Sequence, residues 1–270
     1  MTTPEHLWLL GDSIILFKHS AANIGITTNN FGDCAYYHDG DHKWLADEKQ
    51  NNRLNGLLKT KYWHKPIVAH RDKIAIIDNR LNDPGQYYHN VDGLIVFNRK
   101  PKPANVTRPS RGTNVLLSPT ADCPTVALTD ADCDFQAIIH SGREGTYLNI
   151  VSRAVKMIRD QGYVVNNILA FIWPGVHGDY YRVGADILKR FTEKFAADNF
   201  IQDDHLYLEP LIIRQLLESG VVDQNIISAN LYTHSQLNGN TGFYSHRLHN
   251  ATERNCVFIA PTIKMPKLDN

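Results

Sequence analysis

Cysteine is scarce in this sequence, neither sign of charge predominates, and long apolar runs are missing. The four cysteines are scattered over 270 residues with no Cys-x-x-Cys pair, so we expect reduced thiols and no disulfide framework. Basic and acidic residues each number 28, and this balance argues against a dedicated binder of nucleic acid or of an anionic membrane. No apolar run approaches the length of a membrane span. These absences favour a cytoplasmic protein.

Hydrophobic residues make up 43% of the chain and charged residues 21%, which is the composition of a globular protein with a full core. Short apolar runs bounded by Gly, Asp, Asn or Pro predict β-strands. The runs are HLWLL, SIILF, KIAIID, GLIVF, NVLLS, TVALT, FQAIIH, NILAFIW, NIISANLY and CVFIA. The first two flank Gly-Asp-Ser with no basic segment before them, so they predict a β-hairpin and not a signal peptide.

Other segments space their apolar residues as amphipathic helices do. They are 147–161, about 185–197, about 206–218 and, with mixed periodicity, 47–58. Gly162 is a stop signal for the first, and Pro210 moves the expected start of the third to about Glu209. Strands and helices interleave without internal repeats. We therefore predict one mixed α/β domain over 1–270, in which mixed β-sheets are flanked by helices.

The stretch 97–114 has the composition of a linker, with five basic residues, three prolines and no acid. It predicts a solvated surface loop. A loop of this length is uncommon inside a compact domain, so a flap that attracts an anionic ligand is the alternative.

Side chains able to do chemistry lie at the ends of predicted strands, where α/β proteins place functional residues. Cys123 follows NVLLS in PTADCP, His140 ends FQAIIH, and His70 precedes KIAIID. Cysteine and histidine serve as metal ligands or as a nucleophile–base pair, and a free cysteine is also an ordinary small buried residue. Asp122 could orient a ligand or cap a strand end. Spacing alone leaves these interpretations open.

PTADC followed by AIIHSGREG resembles the laccase-domain polyphenol oxidases, a family now viewed mainly as purine nucleoside phosphorylases and nucleoside deaminases. That family carries Q-V-H-G, T-A-D-C-x-P and H-A-G-W-R-G, and later G-P-x-I…Y-E-V-G and S-Y-R-R…T-G-R. Partial counterparts occur here in the same order over most of the chain. They are NR at 52–53, VAH at 68–70, DGLI at 92–95, WPGV at 173–176, YRVG at 181–184, SHR at 245–247 and TER at 252–254.

The resemblance implies that His70, Cys123 and His140 are the catalytic residues and form a metal site, with zinc expected ahead of copper. A thiolate and two neutral imidazoles leave a fourth position open for water or substrate. Zinc at such a site acidifies a bound water, which suits hydrolytic deamination of a nucleoside.

Phosphorolysis needs arginines that hold phosphate against the sugar C1′. Arg247 and Arg254 occupy the later arginine positions of the family, and Arg143 lies close to His140 in the sequence. We therefore expect a nucleoside and phosphate as the partners, and neither nucleic acid nor a membrane. A homodimer stays open as the assembly.

The residues around the implied ligands depart from the family pattern, so the chain resembles a divergent member. The Trp-Arg that follows H-A-G is Arg143-Glu144 here, the Gly after the first His is Arg71, and the Glu of Y-E-V is Arg182. Inverted charges at 144 and 182 predict either a different accepted ligand or lost activity.

Two other functions stay open beside the nucleoside enzyme. One is a metal-free amide hydrolase, with Cys123 as the nucleophile and His140 as its base. The other is a catalytically inactive binding protein of the same fold. A copper phenol oxidase, the older family label, fits less well, because one mixed sulfur–nitrogen site is not the ligand set of a multicopper enzyme.

Overall fold

The structure, a computed structural model, describes most of the chain. The described residues are 7–17, 22–38, 44–46, 48–58, 60, 62–78, 85–101, 114–196, 199–237 and 240–261. Most of the basic stretch predicted as a loop or a flap, residues 102–113, lies outside them. Within the described part, no helix has both the length and the apolar character needed to cross a bilayer.

Strands and helices alternate along the described residues, as the sequence predicts. The strands are β1 (Leu7–Leu10), β2 (Ile14–Phe17), β3 (Ala22–Thr27), β4 (Tyr36–His38), β5 (Trp44–Ala46), β6 (Trp63–Ile67), β7 (Ile74–Ile77), β8 (Gln86–His89), β9 (Gly93–Phe97), β10 (Val115–Thr120), β11 (Thr125–Thr129), β12 (Phe135–His140), β13 (Leu169–Trp173), β14 (Ile201–Gln202), β15 (His205–Leu206), β16 (Ile226–Ser228), β17 (Gln236–Leu237), β18 (Asn240–Thr241) and β19 (Asn255–Pro261). The helices are α1 (Glu48–Leu57), α2 (Arg143–Tyr147), α3 (Ile150–Asp160), α4 (Ala185–Phe195), α5 (Leu208–Glu218) and α6 (His246–His249).

Two mixed sheets form the framework, which confirms the predicted fold class. A seven-stranded sheet has the order β1-β2-β3-β19-β10-β6-β8, and its last three strands run parallel to one another. A six-stranded sheet has the order β16-β13-β11-β12-β9-β7, antiparallel at the centre and parallel at both edges. The predicted hairpin is the antiparallel pair β1–β2. The chain passes from the first sheet to the second between β10 and β11, the segment that contains Cys123.

The two sheets pack face to face, and helices cover their outer faces. On β12, Ile138 packs in the cluster between the sheets, and Ile139 packs in the cluster under α3, α4 and α5. Leu54 of α1 packs on the other sheet with Phe258. Successive residues of a strand point to opposite faces, so strands buried on both faces read as continuous apolar runs. Burial of each such side chain stabilises the fold by about 1.5–3 kcal/mol.

The predicted helix at 147–161 is confirmed as α3, which begins three residues later than predicted and follows the short helix α2. α2 ends at Tyr147, and α3 begins at Ile150 after Asn149, which adopts a left-handed conformation with φ of 59°. Asparagine tolerates this conformation better than most residues, so it separates the two helices. α5 begins at Leu208, one residue before the expected start at about Glu209, with Pro210 in the first turn, where no backbone N–H is needed.

Strands with polar residues were missed by the apolar-run criterion. β6 reads WHKPI, yet both His64 and Lys65 are buried. The His64 ring nitrogens hydrogen-bond to the Tyr88 hydroxyl at 3.1 Å and to Asn114 Oδ1 at 3.0 Å. Because these partners replace water, a polar residue can occupy a buried strand, and a hydropathy pattern does not detect it.

Candidate metal centre and its cavity

His70, Cys123 and His140 come together at one end of the sheets. One ring nitrogen of each histidine and the Cys123 Sγ all lie within 4.8 Å of one another. The imidazole rings are nearly perpendicular, with centroids 5.3 Å apart. In the part of the chain that the structure describes, this is the one group of three His, Cys, Asp or Glu side chains close enough to share an ion.

Asp92 holds the loop that carries His70. Its buried carboxylate accepts hydrogen bonds from the backbone N–H groups of Ala69, His70 and Arg71 at 3.3, 2.7 and 2.9 Å. Its carbonyl accepts the N–H of His140 at 2.7 Å. His70 has φ of 55°, a left-handed conformation that needs such support in a non-glycine residue. Asp92 lies in the motif DGLI, but nothing in the sequence indicates that it joins two histidine segments.

Cys123 lies in the tight turn that connects β10 of one sheet to β11 of the other. Asp122 adopts a left-handed conformation with φ of 79°, and the Thr120 hydroxyl donates to the Cys123 carbonyl at 2.5 Å. The Asp122 carbonyl accepts the N–H of Val176 at 2.8 Å, which ties the turn to the loop after β13. The turn therefore directs the thiol toward the histidines.

Gly142 leaves room for the Cys123 sulfur. A Cβ at position 142 would lie 2.7 Å from the Cys123 Sγ and 3.6 Å from His140 Nε2. The backbone of Gly142 is extended, with φ of −68° and ψ of −176°, so the requirement for glycine is steric and not conformational.

Gly142→Ala should therefore displace Cys123 and lower metal affinity about tenfold or more, because displaced ligands bind metal poorly. Crowding of this kind also costs about 1–3 kcal/mol of folding free energy. Metal titration and denaturant unfolding measure both effects. The control is Gly56→Ala in α1, where a Cβ meets nothing within 4 Å. Equal metal affinity in the two variants would contradict the steric role of Gly142.

Burial keeps the side chains of Cys123 and His140 uncharged when no ion is bound. Desolvation raises the pKa of the Cys123 thiol to about 12, and the Asp122 carboxylate adds to this effect. Desolvation also lowers the pKa of His140 to about 3, with smaller contributions from the charges of His70 and Arg254. Neither ring nitrogen of His140 has a hydrogen-bond partner among the described residues, although the side chain is only 3% exposed.

The donor set fits a metal ion. A buried imidazole without partners is costly, and coordination by one of its nitrogens would remove that cost. Two imidazoles and one thiolate are ligands that zinc accepts, and three protein donors leave one position for water or substrate. An ion would also stabilise the Cys123 thiolate, which burial in the protein disfavours.

The centre opens into a cavity of about 790 Å³. His70, Cys123 and His140 line it together with Tyr181, Arg247 and Arg254. The volume is that of a site for a drug-sized organic molecule.

Two arginines, Arg247 and Arg254, contribute positive charge to the cavity wall. The Arg247 guanidinium lies 5.1 Å from the centroid of the Tyr181 ring. Arg254 Nη1 donates to the backbone carbonyls of Ala251, Thr252 and Glu253 at 3.2, 2.8 and 2.9 Å, which fixes its side chain. The third predicted arginine, Arg143, is not among the residues that line the cavity, and its Nε lies 3.7 Å from Glu144 Oε1.

Asp122 organises the segment that bears Arg247. Its Oδ1 accepts the hydroxyls of Thr233 and Ser245 at 2.7 and 2.6 Å, and its Oδ2 accepts the N–H of Arg247 at 2.6 Å. Arg247 is in the first turn of α6, so the carboxylate caps a helix and complements its positive end. Neither sequence interpretation of Asp122 named this role.

Glu144 and Arg182, whose charges are opposite to those of the family pattern, have oppositely charged partners outside the cavity. Glu144 accepts two hydrogen bonds from the Arg190 guanidinium, at 3.0 and 3.2 Å. Arg182 forms an ion pair with Asp204. Neither Glu144 nor Arg182 lines the cavity, so a ligand held there would not contact either side chain directly.

Comparison with known proteins decides the family. The model of the family described as multi-copper polyphenol oxidoreductase laccase matches residues 25–262. The chain belongs to this family. At the identities below it is a divergent member, as the altered motifs predicted.

Relatives in the family are named for purine chemistry. A purine nucleoside phosphorylase of Campylobacter jejuni is 28% identical over 227 residues, which cover 82% of this chain and 87% of the relative. A purine nucleoside phosphorylase of Staphylococcus aureus is 25% identical over 262 residues, or 92% of this chain and 88% of the relative. An adenosine deaminase from an unknown prokaryotic organism is 27% identical over 194 residues, or 67% and 68%.

Solved structures share the fold. YlmD from Geobacillus stearothermophilus has a TM-score of 0.77 at 17% identity, and the hypothetical protein YfiH from Bacillus licheniformis has a TM-score of 0.75 at 20% identity. Each comparison covers 96% of this chain and 100% of the other. At these identities the likeness concerns the fold alone.

Proposed function

We propose that this protein is a zinc-dependent purine nucleoside enzyme that cleaves the N-glycosidic bond with phosphate, deaminates adenosine, or does both. The observation that carries the proposal is His140, whose two buried ring nitrogens lack partners among the described residues beside His70 and Cys123. The names of the relatives support the substrate class.

His70, Cys123 and His140 would hold the ion, and zinc suits this donor set better than copper in a site with one cysteine and no further histidine ligand among the described residues. Bound zinc supplies a Lewis acid and a water that ionises near neutral pH. The chain contributes the rest. Asp92 keeps the His70 loop in position, and Gly142 leaves the space that the sulfur needs.

The arginines would bind the phosphate co-substrate. Arg247 and Arg254 both line the cavity that contains the centre. Guanidinium groups form paired, charge-assisted hydrogen bonds with phosphate oxygens and so orient phosphate toward the sugar C1′. Arg143 does not line the cavity, so we assign phosphate binding to Arg247 and Arg254.

Arg247→Ala should raise the KM for phosphate about tenfold or more and change kcat little, because it removes one charge-assisted contact to a bound co-substrate. Steady-state kinetics with inosine at saturating concentration measure this effect. The matched control is Arg182→Ala, which removes another exposed arginine, outside the cavity. A phosphate KM equal to that of Arg182→Ala would remove Arg247 from the phosphate site.

A metal-free Cys–His amide hydrolase is less well supported. Such enzymes need a thiolate beside a protonated imidazole. Here burial raises the pKa of Cys123 to about 12 and lowers that of His140 to about 3, so both groups stay uncharged at neutral pH. The same environment favours a metal ion, which would stabilise the thiolate and use the neutral imidazole.

The deciding experiment is mass-spectrometric product analysis of adenosine and inosine incubated with the zinc-loaded protein, with and without phosphate. Free base with ribose-1-phosphate would establish phosphorolysis, and inosine formed from adenosine would establish deamination. Either product must disappear in Cys123→Ala. The absence of any product that depends on Cys123 would refute the proposal and favour an inactive binding protein.

A further inference from the structure

One histidine that lines the cavity lies outside the metal centre. His70, His140 and His246 all line the cavity, but among the described residues only the first two belong to the group that could hold an ion with Cys123. His246 is exposed, so its ring is not part of the packed core. It stands where the family pattern S-Y-R has tyrosine, so that pattern assigns no function to a histidine here. Its imidazole is available to a ligand in the cavity.

Asp122 fixes the position of His246 through both of its neighbours in the chain. The Ser245 hydroxyl donates to Asp122 Oδ1 at 2.6 Å, and the N–H of Arg247 donates to Asp122 Oδ2 at 2.6 Å. Asp122 directly precedes Cys123 in the sequence. The backbone of His246 is therefore tied by hydrogen bonds to the turn that carries the thiol of the metal centre.

His246 and Arg247 are consecutive residues of α6, and both line the cavity. Consecutive side chains of an α-helix lie about 100° apart around its axis, so they do not face the same point. A direct displacement at the sugar C1′ places the phosphate and the purine on opposite sides of that carbon, so the two groups need different partners. With Arg247 on the phosphate, His246 is left for the purine.

A purine departs more readily as a neutral base, which requires a proton. As the C1′–N9 bond breaks, its electron pair passes into the purine ring, where N7 can accept the proton. The arginines of the cavity wall cannot supply it, because a guanidinium stays charged in proteins. The Asp122 carboxylate accepts three hydrogen bonds, so it is not a proton donor. Histidine titrates close to neutral pH and is the residue that most often serves as a general acid.

On the basis of the phosphorolysis proposed above, we propose that His246 is the general acid that protonates N7 of the departing purine. The imidazolium of His246 gives its proton to N7 while a phosphate oxygen forms a bond to C1′ and the C1′–N9 bond breaks. The products are the neutral purine, ribose-1-phosphate and a neutral imidazole, which takes a proton back from the solvent. Arg247, in contrast, binds phosphate and transfers no proton.

The test compares inosine with 7-methylinosine as substrates of the full-length, zinc-loaded protein. The methyl group gives N7 of the second substrate a fixed positive charge, so its base leaves as a neutral molecule without a proton. His246→Ala should lower kcat/KM for inosine about a hundredfold or more and change kcat/KM for 7-methylinosine little. His246→Gln, which keeps a hydrogen-bond donor but no proton to transfer, should give the same result. The KM for phosphate and the bound zinc should equal those of the wild type.

His249→Ala is the matched control, since His249 is an exposed histidine of the same helix and is not among the residues that line the cavity. It should turn over both substrates as the wild type does. In His246→Ala, an unchanged rate with inosine, an equal loss with both substrates, a raised phosphate KM or a loss of zinc would overturn the general-acid role alone. A wild-type chain that cleaves neither substrate in the presence of phosphate would overturn the proposed phosphorolysis and this role with it.

Discussion

Cys123→Ala should lower turnover of a purine nucleoside by about a thousandfold or more and reduce bound zinc well below one equivalent. Alanine removes the one sulfur donor of the centre, and two imidazoles alone hold zinc much more weakly than three protein ligands do. Without the ion, neither metal-bound water nor Lewis acid catalysis is available. Elemental analysis and product assays on the same preparation measure both effects.

Cys133→Ala provides the matched control. Cys133 is a buried residue of the core. Desolvation raises the pKa of its thiol to about 12, as it does for Cys123. It lies in the turn at the opposite end of the β11–β12 hairpin, where Asn98 contacts its sulfur at 3.9 Å. This variant should keep its zinc and its turnover. Equal zinc content in the two variants would rule out Cys123 as a ligand.

Asp92→Ala should destabilise the protein by about 3 kcal/mol or more and weaken zinc binding in the molecules that remain folded. The substitution leaves the N–H groups of residues 69–71 without their acceptor. It also releases His70 from a left-handed conformation that has no other evident support. Urea unfolding and zinc titration measure the two effects separately.

Asp72→Ala is the corresponding control in the same loop. Asp72 is partly exposed and pairs with Arg153 at 2.6 Å, an exposed ion pair of the kind that contributes at most about 1 kcal/mol. Its removal should change stability little and leave zinc binding intact. If the two aspartate variants behaved alike, Asp92 would have no special role in holding His70.

Secondary structure was predicted correctly for strands whose residues are mostly apolar because both faces of the strand are buried. β11 and β12 match the expected runs TVALT and FQAIIH residue for residue, because these strands are buried on both faces and most of their side chains are apolar. β6 was missed because His64 and Lys65 occupy buried positions with partners from distant parts of the chain. Asn149, in a left-handed conformation, moves the start of α3 to Ile150, which the apolar spacing of the segment does not predict.

The sequence by itself determined the fold class, the family and the three residues that could bind a metal. T-A-D-C and the histidines at strand ends suffice for this, because the ligands are chemically rare side chains in ordered motifs. Only the tertiary structure decided that His70, Cys123 and His140 meet and that Asp92 joins two histidine segments. It alone placed the charges of Glu144 and Arg182 outside the cavity. The physical reason is that hydrogen bonds and van der Waals contacts depend on atoms being a few ångströms apart, and residues distant in the sequence reach that separation only when both sheets have formed.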